Sequence, residues 1–411
     1  MNITRRKFMQ STAALSGMAI AEAFPLSARA SSDTVAIASL HDLSGPFAPY
    51  GQPSHMCMEF AVKEINKAGG LLGKRIDLKV YDAQSDIKKY PQYAQQAILR
   101  DRVVMVVGAM TGAAREATRP ILRRYKVPYF YGSLYEGGLC EQNTFCVNTG
   151  GNQQVAPLLE WSFKNLGKKV YYIASDYNAP RNFGAWNHVV GKRMGGRVVA
   201  DDYYPLDVTD FTSAIAKIQA AKPDFVHSCL VGTPAMSFYR QWAAAGMLNK
   251  VPIVSIVFGA GQEHEILSPQ ETDGIYAAYN YFQELDTPAN KAFLERFAAT
   301  MGKDHQYING DAFGGYSAVM LWAEGVRRAK SFDRDAVMRA LESGIRWDGP
   351  SGALTTDGPT HNVTQDVNII QVKNRTWKLV EHRSQINPDT YGGQCDLRRY
   401  PDRTEFVLPS S

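Results

Sequence analysis

Three carboxylates, Glu136, Asp176 and Glu263, stand just after apolar runs, where loops would leave a sheet. Any of them could act as a general base. Solvated or helix-capping roles are the commoner use of loop carboxylates, and no nucleophile accompanies these. Gly132-Ser133 lacks the flanks of a strained nucleophile turn. The stretch Gly108-Ala109-Met110-Thr111-Gly112 follows an apolar run, but it is not the G-x-G-x-x-G of a dinucleotide site, and no G-x-x-x-x-G-K-[ST] occurs. His264-Glu265 has no second histidine at helical spacing. The eight histidines are scattered, and the five cysteines lack paired C-x-x-C spacing, so no metal centre is expected. The pattern points to binding and not to turnover, and no cofactor is expected.

The elements that must position such residues alternate. Short apolar runs at 35–38, 76–80, 103–107 and 128–131 are separated by helical patterns at about 53–68, 87–100 and 113–125. The first of these helices ends at Gly69-Gly70, a stop signal. After about residue 150 the order restarts. Helices near 154–166, 181–194, 209–221 and 233–245 alternate with strands at 169–174, 197–204, 224–229 and 252–257. Helices follow at 288–301, 311–329 and 334–342, then short strands at 351–355, 365–372 and 376–383. Repeated β-α order implies parallel, doubly wound sheets, and so many units imply two α/β lobes. In such sheets ligands lie at the C-terminal ends of strands. That rule nominates loops 41–52, 108–112, 131–137, 175–181, 231–234 and 258–263, and with the last two the candidates Thr233, Phe258 and Gly259.

The chain has 411 residues, 45% hydrophobic and 21% charged, with a net charge of +5. That composition is globular, and so small an excess argues against a nucleic-acid partner. No run of about 18 or more apolar residues appears, so no membrane insertion is expected of the mature chain. Residues 1–30 read as an export signal. Thr4-Arg5-Arg6-Lys7-Phe8-Met9 resembles a twin-arginine motif, and Ala28-Arg29-Ala30 has the small-x-small form of a cleavage site. Cleavage near Ala30 removes four cations and one carboxylate, leaving +2 and a periplasmic protein. In that oxidising compartment Cys140 and Cys146, which flank Glu141-Gln142-Asn143-Thr144, are the expected disulfide pair, although connectivity is not fixed by spacing. Cys57 and Cys229 are expected as buried small hydrophobes. Cys395 is expected free, in an aperiodic tail over 386–411 that wraps the surface.

The mature chain through about 385 resembles the Leu/Ile/Val-binding superfamily, the type I solute-binding proteins of ABC importers. The residues that carry the likeness are Leu43-Ser44-Gly45, Glu64-Ile65-Asn66-Lys67-Ala68-Gly69-Gly70 and Tyr81-Asp82-Ala83-Gln84-Ser85. Within the superfamily it is similar to the urea and short-chain-amide branch. That likeness rests on Tyr135-Glu136-Gly137 with Asn143, Ser175-Asp176-Tyr177 with Pro180-Arg181, and Asn280-Tyr281-Phe282 before Asp286-Thr287-Pro288.

The resemblance implies two lobes around a cleft, with chain crossings near 150, 280 and 350. Lobe 1 would hold 31–150 and about 281–348, and lobe 2 would hold 151–280 and about 349–385. It also implies a non-catalytic receptor that closes on its solute and delivers it to an ABC-type permease. By position it nominates Met110, Thr111 and Gly112 after the third strand, Tyr131 and Ser133 after the fourth, and Tyr177 in the second lobe. Met110 replaces an aromatic residue and Gly112 a serine. Gly261 stands near where the amino-acid branch has a glutamate. A site that has lost these hydroxyls and that acid favours a small neutral solute, urea or a short-chain amide or a relative, over a zwitterion. A ligand sensor of the same fold, a branched-chain amino-acid receptor and an exported α/β enzyme are the rival readings.

Overall fold

The computed structural model describes residues 33–389 and 392–407. The twin-arginine motif and the Ala28–Ala30 cleavage site lie outside the described residues. The first lobe opens with β1 (Thr34–His41), α1 (Ala48–Lys67), β2 (Arg75–Asp82), α2 (Lys89–Leu99), β3 (Val106–Gly108), α3 (Gly112–Arg124), β4 (Tyr129–Tyr131) and β5 (Thr144–Cys146). These strands form one parallel sheet in the order β2-β1-β3-β4-β5. The order reverses between β1 and β3, so the loops after those two strands diverge and leave a crevice.

The second lobe follows with α4 (Gly151–Asn165), β6 (Lys169–Ser175), α5 (Asn178–Arg193), β7 (Arg197–Tyr204), α6 (Thr212–Ala221), β8 (Phe225–Cys229), α7 (Thr233–Ala244) and β9 (Ile253–Ser255). Two short helices, α8 (Glu263–Ile266) and α9 (Pro269–Thr272), precede β10 (Tyr276–Tyr279). Its sheet runs β10-β9-β8-β6-β7 in parallel, with a second crevice between β6 and β8. Helices α10 (Pro288–Met301), α11 (Gly310–Ala329) and α12 (Arg334–Glu342) then return to the first lobe. Their Phe293, Phe297, Phe313, Tyr316 and Leu341 pack with Cys57, Phe60 and Ile65 of α1 in one buried core. The chain closes with β11 (Arg346–Gly349), β12 (Gly352–Asp357), β13 (Asn362–Lys373) and β14 (Thr376–Ile386). The twelve residues of β13 span both lobes. Val363 lies in the first core, whereas Val367 and Ile369 lie among the residues of β6 and α4.

The doubly wound reading of the periodicity thus holds. The strands at β5, β10 and β11 were not expected, because three or four residues are too few to show a period. The first helix starts earlier than its apolar pattern, at Ala48, since Pro49 fits a first turn whose N–H groups are unbonded anyway.

The disulfide expectation is corrected. Cys140 is bonded to Cys395, and Cys146 is a buried free thiol. Pairing of β5 with β4 sets Cys146 beside Tyr131 and turns it into the core. Cys140 instead lies under the C-terminal tail, where its N–H donates to Glu405 O at 3.0 Å. The Val407 N–H donates to Gly138 O at 2.7 Å, and Leu397 is buried beside the bridge. Cys395 is therefore not free, and the tail is stapled to the first lobe. Cys57 and Cys229 are buried thiols as expected.

Candidate functional site

The loops nominated by the strand-end rule converge from both lobes on a small cavity of about 30 Å³. Phe47 and Tyr50 come from the β1–α1 segment, Met110, Thr111 and Gly112 from the β3–α3 turn, and Leu134 from the loop after β4. The second lobe supplies Tyr177, Ala179, Phe183, Val231 and Val257, and the N-terminus of α11 supplies Asp311.

The β3–α3 turn has little freedom. A Cβ on Gly108 would lie 1.9 Å from Leu40 O, and Ala109 is held at φ +64°. The tightness of this turn follows from the parallel pairing of Gly108 in β3 with Leu40 in β1, and Met110 beyond it lines the cavity. The Thr111 hydroxyl does not face a ligand position freely. It accepts the Ala114 N–H at 3.1 Å and caps α3. Beneath Gly112, Arg115 and Glu136 form a fully buried two-pronged pair at 2.6 and 3.0 Å. Glu136 is thereby neutralised as a base candidate, and Arg115 is not available to an anion.

Tyr177 lines the cavity, and its hydroxyl has no hydrogen-bond partner among the described residues. Burial holds its pKa well above the usual tyrosine value, so it stays a donor. Tyr131 does not line the cavity. Its ring lies over Arg115 at 5.0 Å, and its hydroxyl donates to Leu134 O at 3.2 Å, which supports the loop from behind. Ser133 is also set back, donating to Asp311 Oδ1 at 3.0 Å. Thr233 opens α7 outside the cavity. Phe258 is buried edge-on against Tyr239 and Trp377. The Gly259 N–H donates to Glu263 Oε2 at 2.7 Å. Asp176 is exposed and paired with Arg181.

Two acids stand at or near the cavity, Glu263 of loop 258–263 and Asp311 from outside the nominated loops. Asp311, remote in sequence, reaches the cavity because Asn309 caps α11 and the Leu134 N–H binds Asp311 Oδ1 at 2.7 Å. Burial raises its pKa to about 7, against the opposing pull of the Leu134 and Ser133 donors, with the Glu263 charge adding to the rise. Glu263 itself is buried, and burial raises its pKa too. Its carboxylate takes the N–H groups of Gly259 and Gly261 and the Tyr50 hydroxyl. The expectation that an acid is missing near Gly261 is therefore corrected: Glu263 stands two residues on, and Asp311 sits in the cavity wall. Gly261 is glycine because a Cβ there would lie 2.7 Å from Tyr50 Oη and Cζ.

The strand-end rule already covered Phe47, Tyr50, Leu134 and Val231. No local signal marks Asp311, whose place depends on the return of α11 to the first lobe. Among the described residues no cluster of His, Cys, Asp and Glu could hold a metal ion.

A family model described as periplasmic binding protein matches residues 34–376. Among curated relatives, Leu/Ile/Val-binding protein homolog 7 of Brucella suis biovar 1 (strain 1330) is 25% identical over 354 residues, which cover 80% of this chain and 86% of the relative. Homolog 6 from the same strain is 22% identical, covering 87% and 92%. Among solved structures, a solute-binding protein of an ABC transporter from Rhodopseudomonas palustris HaA2, in complex with p-hydroxybenzoic acid, superposes with a TM-score of 0.77. It is 21% identical and covers 86% of this chain and 98% of that one. An amino-acid ABC transporter substrate-binding protein from Pseudomonas fluorescens Pf-5 gives 0.77 at 19% identity, covering 89% and 99%. A leucine-binding protein from Thermotoga maritima MSB8 gives 0.74 at 20% identity, covering 86% and 99%.

Proposed function

The chain belongs to the periplasmic binding protein family, and from that membership we propose that it is the exported receptor of an ABC importer for a neutral solute bearing an amide-like head. The family is one of non-enzymatic solute-binding proteins, and it implies export. The twin-arginine route, cleavage near Ala30 and delivery to an ABC permease are parts of the same proposal.

Asp311 carries the reading of the ligand. A carboxyl in an apolar wall, with a pKa near 7, is poised between accepting and donating a hydrogen bond. An amide offers N–H donors and a carbonyl acceptor together, so it satisfies Asp311 in either state, and the unpartnered Tyr177 hydroxyl as well. A carboxylate ligand would meet Asp311, with Glu263 buried behind Tyr50, and no cation among the described residues that line the cavity, since Arg115 is already bonded to Glu136. The apolar side chains around it, Met110, Leu134, Phe183 and Val257, suit an uncharged body. Urea and short-chain amides fit this chemistry.

The second reading is an aromatic acid, as bound by the similar Rhodopseudomonas protein. The aromatic walls Phe47, Tyr50, Tyr177 and Phe183 favour it, and the buried Asp311 opposes it. Mass spectrometry of the small molecule released from protein purified without refolding tests the choice. A neutral amide is the expected product, and a benzoate or an amino acid would displace the proposal.

A further inference from the structure

Outside this inner cavity the cleft widens into a second cavity of about 450 Å³. The two share Phe47, Thr111 and Tyr177, which form the neck between them. Ile87 from the first lobe and Leu206 from the second line the outer cavity, and they are 45% and 43% exposed. A single exposed aliphatic side chain means little. Here two such side chains from opposite lobes border one cavity that also carries Phe47 and Tyr177. Its polar groups are already bonded. Asp42 accepts the Ser85 N–H and the Tyr90 hydroxyl, each at 2.7 Å, and Asp86 accepts the Lys88 N–H at 2.9 Å. What remains open to a ligand is mainly apolar.

The inner cavity, at about 30 Å³, has room for roughly two water centres and so for a head group alone. We propose that the two cavities are subsites for one elongated solute, an amide whose head enters the inner cavity and whose alkyl or aryl tail passes the Phe47–Tyr177 neck to lie between Ile87 and Leu206. This rests on the reading of the inner cavity as an amide site, and it extends that reading from urea-sized ligands to longer ones.

Calorimetric titration with linear primary amides from acetamide to octanamide tests it. Each methylene buried between Ile87 and Leu206 should raise affinity roughly fourfold until the tail outgrows the cavity. The readout is the ratio of hexanamide to acetamide affinity, which reaches about 250-fold on that scale if all four added methylenes are buried and exceeds about tenfold if only two are. In Leu206→Asp and in Ile87→Asp, both surface changes, the ratio should fall toward one. A wild-type ratio near one with acetamide still bound would overturn the second subsite and leave the head-group site standing. An unchanged ratio in both variants would overturn it too. Failure of every amide to bind would remove the head-group reading and this inference with it.

Discussion

The Tyr50 hydroxyl donates to Glu263 Oε1 at 3.2 Å, joining the first helix of one lobe to the loop of the other. The same hydroxyl accepts the Gly232 N–H at 3.0 Å. Tyr50 belongs to α1, yet its ring packs in the core of the second lobe, with Val231, Val257 and Ala260. One side chain therefore holds the cleft closed through two hydrogen bonds and an apolar contact.

Removing that hydroxyl with Tyr50→Phe leaves a buried N–H and a buried carboxylate short of partners in the closed form, while in the open form both are solvated. The cost of about 1–3 kcal/mol falls on closure. Ligand affinity should drop roughly tenfold or more. Small-angle scattering of the ligand-free variant should show a larger radius of gyration than wild type. An unchanged radius and affinity would show that closure does not depend on this contact.

Gly261→Ala places a methyl group where Tyr50 Oη and Glu263 Oε1 each lie 2.7 Å away. It should open the cleft much as Tyr50→Phe does. With Tyr50→Ala already in place, only the Glu263 contact remains and the same substitution should cost less than it does alone, a coupling that a double-mutant cycle reads directly. Additive effects would place the strain of Gly261 elsewhere.

Asp311→Asn keeps an oxygen to accept the Leu134 and Ser133 donors and abolishes the charge. The folded pKa of Asp311 is raised from 3.8 to about 7, so the folded state holds its proton longer than the unfolded chain. Wild-type stability is therefore lost as pH rises between about 4 and 7, and the penalty is constant above. The stability advantage of Asp311→Asn should grow by about 1.4 kcal/mol per pH unit across that window and then level off. Urea denaturation at pH 5, 6, 7 and 8 measures it. A difference independent of pH would mean that Asp311 is ionised throughout.

Non-reducing peptide mapping should recover a peptide joining Cys140 to Cys395, with Cys146 alkylated only after unfolding. The bridge closes a loop with a sequence separation of 255 residues. Its loss in Cys395→Ser should lower stability by about 2–5 kcal/mol and expose residues 392–407 to protease. A Cys140–Cys146 peptide would restore the pairing suggested by spacing.

The alternation of apolar runs with helical patterns made the two doubly wound lobes legible, because local periodicity reports buried faces wherever an element is long enough. It also nominated the loops that carry Met110, Thr111, Gly112 and Tyr177, since strand ends and crevices follow from sheet order, and the family resemblance singled out those residues within them. Tyr131, Ser133, Phe258 and Gly259 lie in the same loops but outside the cavity lining, in contact with Leu134, Asp311, Trp377 and Glu263. Within a loop the direction of a side chain is set by hydrogen bonds that no periodicity encodes. Asp311 and Cys395 were illegible for a different reason. Each acts on residues well over a hundred positions away, through the return of α11 in one case and of the tail in the other.

The most direct test is calorimetric titration of the wild-type protein at neutral pH with acetamide, hexanamide, urea, benzoate and leucine in turn. A cavity walled by Asp311 and Tyr177, with no cation among its lining residues, predicts one-to-one binding of an amide, weakened at least tenfold by Tyr177→Ala, with no heat from benzoate. Tight binding of benzoate or leucine with every amide silent would contradict it.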